Sequence, residues 1–217
     1  MIFTGNPMFF TNAFISRKLV FIWLVLISTT VLSNELFQHN SDARRLKAAE
    51  QVSQQFLKKL GGHLKKEMKT NGPVEAIKVC KDVAPEIANN LSLKNGWRVT
   101  RVSTKPRNTL LGSPDKWEQK ILAEFESRAS KGEHYRDMSK SEVIDEAGKR
   151  YFRYMKPIVV KSICLTCHGS DEKIPSAVKA QLDAIYPFDQ ARAYKIGDLR
   201  GAISIKQSMD IPLRKNF

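Results

Sequence analysis

The chain has 217 residues, enough for one domain with its own core, and carries 36 Lys and Arg against 22 Asp and Glu, a formal charge of +14. Basic residues are interleaved with acidic ones and never run to five in a row. This argues against nucleic acid as a partner and for a solvated basic surface, a pattern that also suits acidic proteins or an anionic membrane. Three cysteines exclude a fully paired disulfide framework, so at least one thiol needs another explanation.

Arg17-Lys18 precede fourteen uncharged, largely apolar residues, Leu19 to Leu32. That run is short for a spanning helix and has the layout of an export signal. Residues 1–33 are therefore expected to be a signal peptide. Because Val31-Leu32-Ser33 departs from the favoured A-x-A cleavage pattern, an uncleaved amino-terminal anchor is the alternative. Residues 34–217 are expected to form a single domain in the periplasm, free or held at the inner membrane.

From Ser41 to Thr70, Leu46, Val52, Phe56, Leu57, Leu60, Leu64 and Met68 recur at helical spacing and predict a long amphipathic helix, flexed at Gly61-Gly62. Asn71-Gly72-Pro73 makes a turn, and the next helix places Ala76, Ile77 and Cys80 on one face. Pro85 must interrupt that ladder, so Cys80 lies near a helical irregularity. A lone cysteine on such a face is ordinarily an inert small hydrophobe.

Trp97 to Ser103 alternates as a strand. Asp115 caps a helix that runs to about Ser130. Met138 to Ile144 reads as a loop with a short strand, and Ala147-Gly148 as a turn. Lys149 to Val160 has the strongest strand pattern, with Tyr151, Arg153 and Met155 on one face and Phe152 and Tyr154 on the other; Pro157 moves it to an edge or an end. Pro175 to Ile185 predicts a short helix, Gly197 to Gly201 a turn, and Ala202 to Gln207 a last strand. Helices followed by antiparallel-type strands give an α+β class.

Cys164-Leu165-Thr166-Cys167-His168 is the chemically distinctive stretch. Two thiols three positions apart with a histidine directly after the second form the C-x-x-C-H haem c attachment signature, in which each sulfur joins one haem vinyl group and the histidine ligates the iron. A zinc ribbon would need a second ligand pair, and Cys80, His39, His63 and His134 stand apart from one another. A redox dithiol or a disulfide is the remaining alternative and leaves His168 unexplained. Most small helical cytochromes c carry the motif near the amino terminus. Here it follows a strand three quarters of the way along, which implies a different fold.

Further pieces fit one pattern: Ala76-Ile77 with Cys80, then Ala84-Pro85 and Ile87-Ala88; Arg101 and Ser103 with Arg107-Asn108; Pro114-Asp115 with Trp117-Glu118; Tyr154-Met155-Lys156-Pro157; Cys164 to Gly169; and Gly197 to Ala202. In these the chain resembles exported single-haem c-type proteins with a PAS-like domain, a family long catalogued as a domain of unknown function. After Asn108 it departs from that family's pattern, with Thr109-Leu110-Leu111-Gly112 where a proline is expected.

The resemblance implies a PAS-like antiparallel sheet flanked by helices, one covalent haem c, and an iron held by His168 on one side and Cys80 on the other. Met68, Met138, Met155 and Met209 stand as alternative sixth ligands. Arg101, Lys105 and Arg107 are candidates for pairing with haem propionates, since guanidinium and ammonium groups bind carboxylates; Tyr154 and Met155 are candidates for lining the haem face. A thiolate stabilises Fe(III) and lowers the reduction potential. The expected function is redox or gas sensing outside the cytoplasm through a separate signalling protein, with a low-potential electron-transfer cytochrome serving a redox partner as the alternative. An enzyme is not expected, because a peroxidase needs an open distal site with acid-base groups.

Overall fold

The structure, a computed structural model, describes residues 17–214, with side chains from His39 onward. The chain divides into two units, Met1–Asp42 and Ala43–Phe217; the sheet, its cores and the cavity beside it belong to the second. The expected signal or anchor, residues 1–33, lies outside the described side chains. Among the described residues no helix is long and apolar enough to cross a membrane.

Helix α1 spans Arg17–Thr70. Val52 and Phe56 of the predicted stripe are buried, together with Ala48 and Ala49 beside it, and Gly61-Gly62 do not interrupt the helix. Each glycine lowers helix stability by about 1 kcal/mol, but apolar side chains on both sides hold this segment: Leu57 and Leu60 pack on the core, and Leu64 and Met68 face a cavity. Helix α2, Gly72–Glu75, is followed by a π-helical turn, Val79–Val83, and by α3, Ala84–Asn95. Pro85 has no amide to give the carbonyl four residues back, and its ring crowds that carbonyl. The predicted irregularity takes the form of a widened turn ahead of it, and Cys80 sits in that turn. Gly96, with φ of +70°, ends α3 in the left-handed conformation.

Strand β1 is Arg98–Val102. The short α4, Thr109–Gly112, starts where the Asn108 side chain accepts from the Leu111 amide at 3.1 Å. Helix α5, Lys116–Ser130, begins with a reciprocal capping box: Glu118 N–H donates to Asp115 and Asp115 N–H donates to Glu118, both at 2.8 Å. Strands β2, Lys140–Glu146, and β3, Lys149–Val159, form a hairpin. Positive φ at Ala147 (52°) and Gly148 (75°) gives its turn the twist such a connection favours. Helix α6, Leu165–His168, helix α7, Ser176–Ile185, and strand β4, Leu199–Ser208, complete the chain.

The sheet is antiparallel in the order β1-β4-β3-β2, a PAS-like α+β arrangement as expected. Strand β3 lies in the interior, yet its pairing with β2 stops at Met155. Pro157, two residues further on, therefore meets a locally open edge while still opposite Ala202 of β4. Strict alternation separates two cores. On one face Phe152, Tyr154, Ile203 and Ile205 pack with Val52 and Phe56 of α1 and Ile87 and Leu91 of α3. On the other, Val102, Met155 and Ala202 pack with Ile121, Leu122 and Phe125 of α5.

Strand β4 carries one irregularity. Ile158 pairs with Gly201 and Val159 with Leu199, so Arg200 is the extra residue of a bulge. Gly201 has φ of +147°, and a Cβ there would lie 2.2 Å from the Val102 carbonyl oxygen. Only glycine lets β4 approach β1 this closely.

Candidate functional site

Downstream of β3 the chain turns back sharply. Val160 donates to Asp198 O at 2.9 Å and accepts from Gly197 N at 3.0 Å, which anchors the start of the loop beside β4. A 3-10 turn, Ser162–Cys164, runs into α6, so Cys164, Cys167 and His168 fall at i, i+3 and i+4 on one helical face. Gly169 must follow, because a Cβ there would lie 2.7 Å from the Leu165 carbonyl oxygen.

The imidazole of His168 is fixed at both nitrogens. Nδ1 lies 2.7 Å from the Ala191 carbonyl oxygen, which can only accept, so the proton is on Nδ1. Nε2 lies 3.5 Å from Nε of Arg200, which can only donate, so Nε2 carries the lone pair. Tyr194 meets the ring edge-on at 6.2 Å. Burial, then the positive charges of Arg200 and Arg107, hold the imidazole pKa well below its ordinary value. His168 is therefore neutral, with Nδ1 donating to a backbone carbonyl. This is the arrangement that prepares a histidine to ligate metal through Nε2.

The loop carrying Ala191 is itself held. Ala193 N–H donates to Gly169 O at 2.8 Å and Tyr194 N–H to His168 O at 2.9 Å. Asp189 accepts from the Ala191 amide at 2.8 Å and from Arg107 Nε at 3.1 Å. Burial pushes the Cys167 thiol up to about 11, against the pull of Arg107. It packs beside Ile77, Ile174, Val178 and Leu182. Cys164 packs beside Val160, Ala191 and Tyr194.

These groups open onto a cavity of about 500 Å3, a size suited to an organic cofactor. Leu57, Leu60, Leu64 and Met68 of α1, Ile77, Ala84 and Ala88, and the short α4 wall it. Cys80, presented by the π-helical turn, lines the same cavity as Cys164, Cys167 and His168. Lys81, Arg98, Arg101, Arg107 and Arg200 also line it, and no Asp or Glu does among the described residues. An apolar cleft whose described lining carries cations and no carboxylate fits a flat apolar molecule bearing acidic groups.

The sequence-level candidates divide. Cys80, Cys164, Cys167, His168, Arg101 and Arg107 meet at the cavity. Lys105 does not line it: its Nζ donates to Arg192 O at 2.6 Å and lies 4.6 Å from the Tyr194 ring centre. Tyr154 and Met155 are also placed elsewhere. Tyr154 is enclosed in the α1/α3 core and Met155, on the opposite face of the strand, in the α5 core. Arg107 lines the cavity but is committed to the loop, ion-paired with Asp189 and donating to the Cys167 and Ala191 carbonyls. Of the methionines, Met68 lines the cavity, Met138 and Met155 lie in the α5 core, and Met209 packs on the other core.

Sequence reasoning missed Arg200, Asp189, Ala191 and Tyr194. Arg200 donates to Ser103 Oγ at 3.1 Å and Lys105 O at 3.3 Å and reaches His168. Its signal was the pair of glycines around it, which a plain turn explained equally well.

The Tll0287-like family model matches residues 31–208. The chain belongs to that family. A solved structure, titled "Crystal structure of the cyanobacterial heme-protein Tll0287", superposes with a TM-score of 0.55 at 24% identity, covering 77% of this chain and 94% of that one. The Tll0287-like fold is thus shared. No curated protein matches the chain.

Proposed function

We propose that this member of the Tll0287-like family is an exported haem c protein, with Cys164 and Cys167 carrying the thioether links and His168 Nε2 as the proximal iron ligand. The observation that carries this reading is the fixed tautomer of His168, whose Nε2 lone pair lies beside two thiols in a cavity lined by cations and no carboxylate. The description of its solved structural relative as a heme-protein supports it. Bound haem would supply an iron that changes oxidation state by one electron and can exchange an axial ligand.

Within that reading the residues have distinct tasks. Ala191 O holds the imidazole proton at Nδ1. Arg101 and Arg200 offer positive charge to the propionates, while Arg107 serves the loop. Cys80 would be the second protein ligand of the iron, as the resemblance implied, and Met68 lines the same cavity. The π-helical turn under Cys80 favours a sensor, because such turns gather at functional sites and change their hydrogen bonding readily. Because Cys80 sits in that turn, a change in what its sulfur holds would relax the turn and pass a signal to a separate protein in the periplasm or at the inner membrane. A low-potential electron carrier is the second reading, favoured by the +14 charge that would dock an acidic redox partner. No second histidine lines the cavity among the described residues to serve as the acid-base group a peroxidase needs, and the role proposed is non-enzymatic.

The test is production with haem-maturation machinery. The mature protein should weigh one haem more than its polypeptide and show a Soret band. Cys80→Ala should keep the covalent haem and lose the low-spin thiolate spectrum. A bare polypeptide mass would overturn the reading. Carbon monoxide binding to the reduced protein separates sensor from carrier.

A further inference from the structure

Asp189 is almost completely buried, its side chain 2% exposed, and its partner Arg107 is 8% exposed. An ion pair this enclosed needs a reason, since burying two charges seldom adds stability. Its placement supplies one. Arg107 donates through Nε to Asp189 at 3.1 Å, and its terminal nitrogen reaches both the Cys167 carbonyl and, at 3.3 Å, the Ala191 carbonyl. Ala191 O is the acceptor that holds His168 Nδ1. Asp189 in turn accepts the Ala191 amide at 2.8 Å and Arg192 Nε at 3.1 Å. One carbonyl oxygen therefore receives the imidazole proton and a guanidinium proton together, on a residue pinned by a carboxylate.

We infer that Arg107 and Asp189 are positioning residues that set the electron-donating strength of His168 through the Ala191 carbonyl. The inference rests on His168 being the haem ligand. A cation on a carbonyl oxygen draws density away from it and weakens its hold on a second donor, so Arg107 limits how far the Nδ1 proton is drawn toward Ala191. The imidazole is kept a moderate donor. Asp189 offsets the Arg107 charge, which would otherwise favour the reduced iron.

The two residues act with opposite sign, which no simple loosening of the loop would do. Removing the cation in Arg107→Gln leaves Ala191 O a stronger acceptor and Asp189 with Arg192 as its remaining countercharge; both changes favour ferric iron and lower the reduction potential. Asp189→Asn leaves Arg107 uncancelled and raises it. The double variant should return toward the original value. Arg107→Lys keeps the charge and should shift less than Asp189→Asn does.

The experiment is spectroelectrochemical titration of the covalent holoprotein and these variants, with mass and Soret band recorded for each. Opposite shifts with recovery in the double variant are expected. Shifts of one sign, or none, in variants that carry haem would overturn the inference. If Arg107→Gln takes up no haem, Arg107→Lys and Asp189→Asn decide: a lysine shift as large as the asparagine shift and of the same sign overturns it. Absence of haem from the unaltered protein is a different result and strikes the functional reading instead.

Discussion

The two faces of the sheet handle charge in opposite ways. Toward α5, Arg153 is 1% exposed and answered by three carboxylates: Asp115 at 2.8 Å, Glu118 at 3.2 Å and Glu146 at 2.7 Å. Glu118 also accepts from Ser204 Oγ at 2.6 Å, and the guanidinium lies 4.6 Å from the Trp117 ring centre. On the cavity side, several cations gather with no carboxylate among the described lining residues. The closed face answers its buried charge within the fold. The open face leaves positive charge for something that arrives.

This contrast can be broken most severely on the closed face. Arg153→Ala strands Glu118 without its countercharge, and breaking a buried pair in this way should lower stability by about 3–5 kcal/mol, read as a fall in the urea midpoint at unchanged slope. Next comes the seam between the faces. Gly201→Ala sets a Cβ against Val102 O at φ +147°, with an expected loss of about 3 kcal/mol from overpacking and strain. Haem uptake should fall with it, since the bulge also aims Arg200.

Acid gives a milder test. Burial raises the Glu146 pKa, but Lys206 and Arg153 together outweigh it and hold the carboxyl below its usual range. Asp115 behaves alike: burial pushes up, while the Glu118 amide and Arg153 pull down further. Groups with depressed folded values contribute stability that is fully present above their unfolded pKa, about 4, and is lost as pH falls through the folded values. These carboxylates should therefore steepen the fall of the unfolding midpoint below about pH 4, beneath the earlier loss that begins at about pH 6.5 as the unfolded chain protonates a histidine that the fold keeps neutral at His168; Arg153→Ala should flatten only the lower decline. The smallest effect belongs to the open face. Arg101, 5.9 Å from the Phe56 ring centre, should tolerate Arg101→Leu within about 0.5 kcal/mol in the haem-free protein. Calorimetry with and without haem would sharpen the contrast if only the loaded form is weakened.

Most of the fold was legible because its signals are local. Asp115 and Glu118 spell a capping box, Pro85 forces an interruption, and the alternation from Tyr151 to Met155 separates the two cores. The attachment motif was legible for the same reason: its spacing is its geometry. What escaped depends on contacts between residues far apart in the chain. Nothing near Arg107 in the chain announces Asp189, and nothing near His168 announces Ala191. Arg107 and Lys105 were read as free cations because a sequence does not show which charges are already engaged. Tyr154 and Met155 were assigned to the cavity from their place in a recognisable string, although alternation alone sends them to opposite faces of β3, and both faces there are filled.

The widened turn at Val79–Val83 also constrains how this domain can vary. Deleting a single residue there would restore ordinary winding and leave Ile87 and Leu91 on the core they fill, because the wider turn absorbs one residue without turning the helix that follows, but it would take away the turn that presents Cys80. The aim of one sulfur is thus set by the extra residue, while the helix after it keeps its face either way. Length in this segment is a tighter requirement than the identity of its exposed side chains.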